Sequence, residues 1–182
     1  MKVAVFSSSA PYGRGESFVV SEVNAIARQG VKVLLVPSII RKGNPNKFSF
    51  SHSVKVKKSR LLSFPILFEL LRYLLSEPAD FYKVLALVKD TKILNTVKNL
   101  VVVPKAIWLA KTLKCENVDY IHAHWLTTSS TLALLVSQIS GIPWSATGHR
   151  GDIVANNIIR KKFNDAQFIR FISESGATLA RG

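Results

Sequence analysis

The chain has 182 residues, 48% of them hydrophobic, with ten Phe, three Trp and a single cysteine; this excludes a disordered polymer and a disulfide-stapled scaffold, and suffices for one domain that hides roughly 70 per cent of the surface it exposes unfolded. Twenty-five Lys and Arg stand against eleven Asp and Glu, a formal charge of +14, so the surface is either a solubility device or a match for an anionic partner such as a membrane leaflet or a nucleic acid. Met1-Lys2 leads straight into an apolar run with no secretory pattern, and the lone Cys115, on an expected loop with an incidental role, fits a reducing compartment; the expected location is the cytoplasm.

In chain order, Lys2 to Phe6 reads as a strand buried on both faces, followed by a Ser-, Pro- and Gly-containing loop from Ser7 to Gly15. A helix is expected from near Glu16, with Val19, Val23, Ile26 and Ala27 on one face, Glu16 as an acid in its first turn and Gly30 as its stop. Val31 to Val36 is a second strand. The loop is no dinucleotide fingerprint, because Phe18 stands where a third glycine is needed. Gly13 and Gly15 allow either a close approach of backbone N–H groups to an anion at the helix N-terminus or merely a tight turn.

After Pro37 the chain turns basic. Between Val23 and Phe68 there is no acid, against Arg28, Lys32, Arg41, Lys42, Lys47, Lys55, Lys57, Lys58 and Arg60. Val54 and Val56 alternate with Lys55 and Lys57 as a short exposed strand. Leu61 to Leu75 is apolar almost all round, interrupted by Phe64-Pro65, Glu69 and Arg72; such a helix is buried or meets something apolar outside the domain. Phe81, Val84, Leu85 and Val88 mark a helix after Pro78, and Ile93 to Lys114 one or two more, with Pro104 as a break or kink. The longest stretch free of charged side chains, residues 120–149, is broken by Ser, Thr, Gln, Gly, Pro and His, short of the roughly 18 to 20 apolar residues of a spanning helix, so no transmembrane segment is expected.

The segment 118–152 concentrates the chemistry. Tyr120 to Ala123 and Ile142 to Thr147 read as strands, and Leu132, Leu135, Val136 and Ile139 recur at helical spacing between them. A strand, helix, strand crossover implies parallel strands, and ligands collect beyond their carboxyl ends, where His122, His124, His149 and Asp152 fall. A last strand, Phe168 to Ile172, leads to Ser173 as N-cap of a short helix. The expected fold is a Rossmann-like three-layer α/β domain with a mainly parallel sheet.

His122 and His124 alternate along a strand, which is read as pointing them to opposite faces; with no Cys or clustered carboxylate to complete a set, no metal site is expected. His124, nearer the strand end, is the cleft residue and His122 a packed core histidine. Trp125 either stacks on a ligand or packs in the core. Glu16 and Glu22, six apart, turn about 600 degrees on a helix and so occupy different faces, leaving Glu22 to a structural ion pair. Arg150 and Asp152 orient a ligand or pair with each other.

Gly15-Glu16-Ser17-Phe18-Val19-Val20-Ser21-Glu22, Asp119-Tyr120-Ile121-His122-Ala123-His124-Trp125, Gly141-Ile142-Pro143 with Thr147-Gly148-His149-Arg150-Gly151-Asp152, and Phe171-Ile172-Ser173-Glu174-Ser175 together resemble the N-terminal half of family 4 glycosyltransferases of the GT-B fold, of the kind that builds bacterial polysaccharides. The Gly13-Arg14-Gly15 loop departs from that pattern, which elsewhere has two adjacent glycines or a Ser before the Glu. The resemblance implies a retaining hexosyl transfer from a nucleotide sugar to a glycan or lipid-linked acceptor, with no bound divalent ion. It implies that His149 contacts the transferred sugar as the catalytic residue, and that Gly13, Gly15, Glu16, His124, Trp125, Arg150 and Asp152 line the substrate site. It also implies that the nucleotide sugar, a co-substrate rather than a cofactor, is held mainly by a second domain beyond residue 182, so that the chain alone is inactive. The alternative from composition is a basic Rossmann-like binding module for anionic membrane or, less in keeping with its lack of RNA-reading aromatic motifs, nucleic acid.

Overall fold

The computed structural model describes residues 1–13, 15–44 and 47–181; Arg14 of the glycine loop lies outside them. Strands β1 (Lys2–Ser7), β2 (Lys32–Pro37), β3 (Val54–Val56), β4 (Tyr120–His124), β5 (Trp144–Gly148) and β6 (Ile169–Phe171) form one sheet in the order β3-β2-β1-β4-β5-β6. Every pairing is parallel. The period of two along each strand divides the apolar residues between two layers. Val3 and Val5 of β1, Val33 and Leu35 of β2 and Val54 of β3 face Val19, Val23 and Ala27 of helix α1 (Ser17–Arg28). Ala4 and Phe6, Leu34 and Val36, Ile121 and Ala123 face the opposite layer, built on α4 (Ile93–Cys115) and α5 (Thr128–Ser140). This is the three-layer Rossmann-like α/β architecture that the alternation of strands and helices predicts.

Helix α5 departs from the expected stripe. Residues Ser129 to Val136 are all buried, because α4 packs closely along α5 in addition to the sheet. Small hydroxyls make this possible: Ser130 Oγ and Thr131 Oγ1 donate back to the Thr127 carbonyl, satisfying themselves inside the helix. Helix α4 is continuous through Pro104. The carbonyl that loses its partner belongs to Leu100, which is 41% exposed, so the lost bond falls on the outward side of the helix and no break follows. Cys115 is the exposed last residue of this helix, not a loop residue. Among the described residues α4 is also the one helix long and apolar enough, by length and composition, to cross a membrane, with half of that window buried in the fold; its scattered lysines hide it from a search for charge-free runs.

Helix α2 (Phe64–Ser76) takes Pro65 into its first turn, where the missing N–H costs nothing, so Phe64-Pro65 opens the helix instead of interrupting it. Glu69 turns inward and pairs with Arg72 and with Lys111 of α4 at 2.8 Å. The outer side of α2 is left with Phe64 (82% exposed), Leu67, Phe68, Leu71 and Leu75. Helices α3 (Pro78–Leu87), α6 (Arg150–Ala155), α7 (Ile159–Asp165) and α8 (Glu174–Arg181) complete the chain, and the Ser173 hydroxyl accepts from Gly176 N–H as the expected N-cap of α8. Strand β3 is an edge strand rather than an exposed one, since Val54 is buried against α1.

Candidate functional site

The strand order reverses between β1 and β4: α1 leaves β1 for one face of the sheet and α5 leaves β4 for the other. A crevice therefore opens beyond Ser7 and His124, the place where open parallel sheets bind ligands. Ser8, Ser9, Gly13 and Glu16 lie on one side of it. Glu16 does not enter the first turn of α1 but precedes it, as the N-cap residue without a capping side-chain bond. Its carboxylate folds back instead, accepting from Ser8 N–H (3.0 Å), Ser9 N–H (2.7 Å), the Ser9 hydroxyl (2.8 Å) and the Trp125 indole Nε1–H (2.8 Å). The backbone donors at the end of β1, which an anionic ligand would need, are thus filled by the chain's own carboxylate. Gly13 makes this packing possible, because a Cβ there would stand 1.9 Å from Ser9 Oγ. Gly15 serves the conformation, at φ +137°, where side chains are strained.

Across the crevice, Trp125 follows β4 with φ +75°, an uncommon setting for a bulky residue and one met at functional sites. Its N–H donates to the Thr147 carbonyl at 3.0 Å, which fixes the backbone reversal that aims the indole outward. The indole stacks on the His149 imidazole with centroids 4.0 Å apart and an angle of 26°. Phe18 stands edge-on to both Trp125 (5.8 Å) and His124 (5.6 Å). His149 is the N-cap residue of α6, and Asp152 is what holds it: buried Oδ2 accepts from His149 N–H (3.1 Å) and from Leu126 N–H (2.9 Å), joining the ends of β4 and β5. Burial holds the His149 imidazole below its ordinary pKa despite Asp152 nearby, so the ring is neutral at pH 7, and its buried Nε2 has no hydrogen-bond partner. Lys162, fully buried and drawn down to about 7 by that burial, donates to the carbonyls of Leu126 (2.9 Å) and Thr127 (2.8 Å), clamping the loop behind Trp125.

No protein-family model and no curated protein matches this chain.

The third part of the site is a polar strip on the α1 side of β4, β5 and β6. His122 and His124 lie on the same face, not opposite ones, because side chains alternate at every residue and positions two apart return to one side. Their rings meet edge to face at 5.6 Å. His122 is gripped by two hydroxyls of β5, with Ser145 Oγ 2.9 Å from Nδ1 and Thr147 Oγ1 3.0 Å from Nε2, and burial followed by the neighbouring His124 pulls it down to about 4. His124 is 1% exposed. Glu22 Oε2 reaches to 2.5 Å from His124 Nε2, yet out of line for a ring N–H, so neither ring nitrogen has an aligned partner; the contact is an electrostatic pairing rather than a formed hydrogen bond. Glu22 Oε1 lies 3.6 Å from Arg170. Contact with His124 holds the Glu22 carboxyl below its ordinary range, burial opposes this, and Arg170 adds to it.

The structure thus gathers Gly13, Glu16, His124, Trp125, His149 and Asp152 around one crevice, while Arg150 is exposed and makes no ion pair among the described residues. Glu16 and Asp152 are occupied in holding the walls together. Phe18, Glu22 and Arg170 join the site from outside the set the sequence singles out. For Glu22 the signal is present, since one further helical turn and a half beyond Glu16 carries it over β4; for Arg170 the adjacency of β6 to β5 must be known.

Proposed function

We propose that this domain is the acceptor-side half of a family 4-type GT-B glycosyltransferase, which moves a sugar from a nucleotide donor to a glycan or lipid-linked acceptor in concert with a second α/β domain that holds the nucleotide. The observation that carries this reading is the stacked Trp125 and His149 pair at the crossover of the sheet. The flat faces of an indole and a neutral imidazole suit the C–H face of a pyranose, and His149 Nε2, buried and without a partner, gains one when a rotation of the ring brings it to a sugar hydroxyl. The motifs 15–22, 119–125 and 147–152, which prompt the resemblance, converge on that pair. In this reading His149 supports charge developing on the sugar ring and Asp152 positions it.

The test follows the Trp125 indole N–H signal by NMR, assigned with Trp125→Phe, during titration with oligosaccharides and short-chain lipid-linked saccharides. Saturable shifts of that signal are expected, together with no micromolar affinity of the chain alone for nucleotide sugars by calorimetry. Micromolar nucleotide-sugar binding, or a silent indole across the saccharide panel, overturns the assignment.

A second reading, a basic module that binds anionic membrane without catalysis, is favoured by the outward face of α2, where Phe64, Leu67, Phe68, Leu71 and Leu75 repeat at helical spacing next to exposed Lys58 and Arg60. The two readings are compatible if the acceptor is lipid-linked.

A further inference from the structure

We propose that Glu22, His122 and His124 form a binding site for a first-row transition metal ion of the zinc class, which ties helix α1 to strand β4 at the rim of the crevice. The inference goes beyond sugar transfer and stands without it. One ligand atom from each residue lies within 4.8 Å of the other two, close enough for small side-chain rotations to bring all three onto one ion. Two imidazoles and a carboxylate are a donor set that zinc accepts, whereas magnesium and calcium require more oxygens than the cluster offers.

The environment of each donor supports the assignment independently of spacing. His124 is buried with both ring nitrogens lacking an aligned partner, an arrangement that costs stability unless something else occupies the direction of the lone pair. A cation bound by Nε2 and Glu22 Oε2, once these atoms move apart from their 2.5 Å contact, relieves both groups at once. His122 is held by a hydroxyl at each nitrogen; when one nitrogen turns to the ion, the hydroxyl at the other still holds its N–H, which is the outer arrangement that orients a ligating imidazole. Glu22, with its side chain 27% exposed, supplies the entry side, and its second oxygen stays towards Arg170. The charge of Arg170 opposes the ion and sets the affinity below that of the same donor set without it.

The test uses metal-free protein titrated with Zn2+ by calorimetry and with Co2+ by visible absorption. The expected result is one equivalent bound, a rise in melting temperature with Zn2+, and the visible bands of Co2+ among nitrogen and oxygen ligands without the charge-transfer band of a thiolate. Glu22→Gln, His122→Gln and His124→Gln each weaken binding by at least about tenfold. His52→Gln and Cys115→Ser, which alter the remote exposed histidine and the thiol, leave it unchanged. Circular dichroism and melting without metal identify any variant that fails to fold, and Glu22→Gln, on the helix surface, decides the matter if a histidine variant does. Absence of a stoichiometric Zn2+ site in the unmodified chain, or undiminished binding in folded Glu22→Gln, overturns the proposal.

Discussion

Glu16 and Trp125, 109 residues apart, meet through a 2.8 Å hydrogen bond from the indole to a buried carboxylate, and this bond sets the width of the crevice between β1 and β4. Since that carboxylate serves three other donors as well, its removal leaves buried N–H groups without acceptors. Glu16→Ala is expected to cost about 3 kcal/mol in urea unfolding and to alter the Trp125 indole NMR signal. A loss under about 0.5 kcal/mol, typical of an exposed site, would remove Glu16 from this structural role.

Acid should weaken the fold through His122. Its folded pKa of about 4 lies below the ordinary 6.5, so between those values the unfolded chain binds the proton and the folded chain does not. Stability therefore rises with pH through that window and is lost as pH falls from 6.5 towards 4, by at most about 3 kcal/mol. Glu22, also held low, acts in the same direction at the acid end. Denaturant midpoints measured across this range should flatten in His122→Gln; an unchanged slope in that variant would assign the acid sensitivity elsewhere.

In an enzyme assembled with a donor-binding domain, His149→Ala is expected to lower turnover by about a hundredfold, the scale of losing one placed polar group at a charge-developing centre. Melting should fall only modestly: the backbone N–H that Asp152 accepts from remains, while the side-chain half of the capping box and the stack on Trp125 are lost. Unchanged turnover in the folded variant would remove His149 from the catalytic role.

The outer face of α2 predicts co-sedimentation with vesicles containing anionic lipid, strongest at low salt. Each basic residue near such a surface is worth about 1 kcal/mol, and several hundred millimolar salt screens it. Lys58→Ser with Arg60→Ser should weaken binding at low salt, and Phe64→Ser with Phe68→Ser should weaken it at all salt concentrations. The better charge targets are Lys58 and Arg60, since Lys57 is already paired with Glu116 at 2.7 Å. Indifference to anionic vesicles at low salt, or loss of binding to added oligonucleotide, would end the membrane reading.

Much of the fold is legible in the chain because β1, β2, β4 and β5 carry short apolar runs beside turn signals, as in Lys2–Ser7 and at Gly141-Ile142-Pro143, and the helices between most of the strands force parallel pairing. Less legible is anything that depends on what covers an element from outside. The burial of Ser129 to Val136 all round is decided by α4, and the continuity of α4 through Pro104 by the outward side on which the lost bond falls. At the site, His124, Trp125 and His149 are marked by position at strand ends. The opposite-face placement of His122 and His124 fails on the period of a strand itself, and with it the ground for excluding a shared ion. The capture of Ser8 and Ser9 N–H groups by Glu16 is invisible because a helix start displaced by one residue turns a first-turn acid into a loop anchor.

Lys105 lies completely buried and gives its ammonium to the carbonyls of Pro37 (2.7 Å), Ser38 (3.0 Å) and Ser59 (3.0 Å), each hydrogen having one acceptor. Burial draws it down only to about 8, so it remains charged in neutral solution. Its three acceptors belong to the end of β2 and to the segment entering α2, which it holds together beyond the last bond between them, from Lys57 N–H to the Leu35 carbonyl at 2.8 Å. Mutational tolerance should therefore be low at a position that is not one of the site residues: arginine is too wide for the three carbonyls, glutamine has too few hydrogens, and methionine fills the space while leaving the oxygens stranded. A saturation library selected for folding alone would keep lysine there as strictly as a selection for activity would keep any residue of the site.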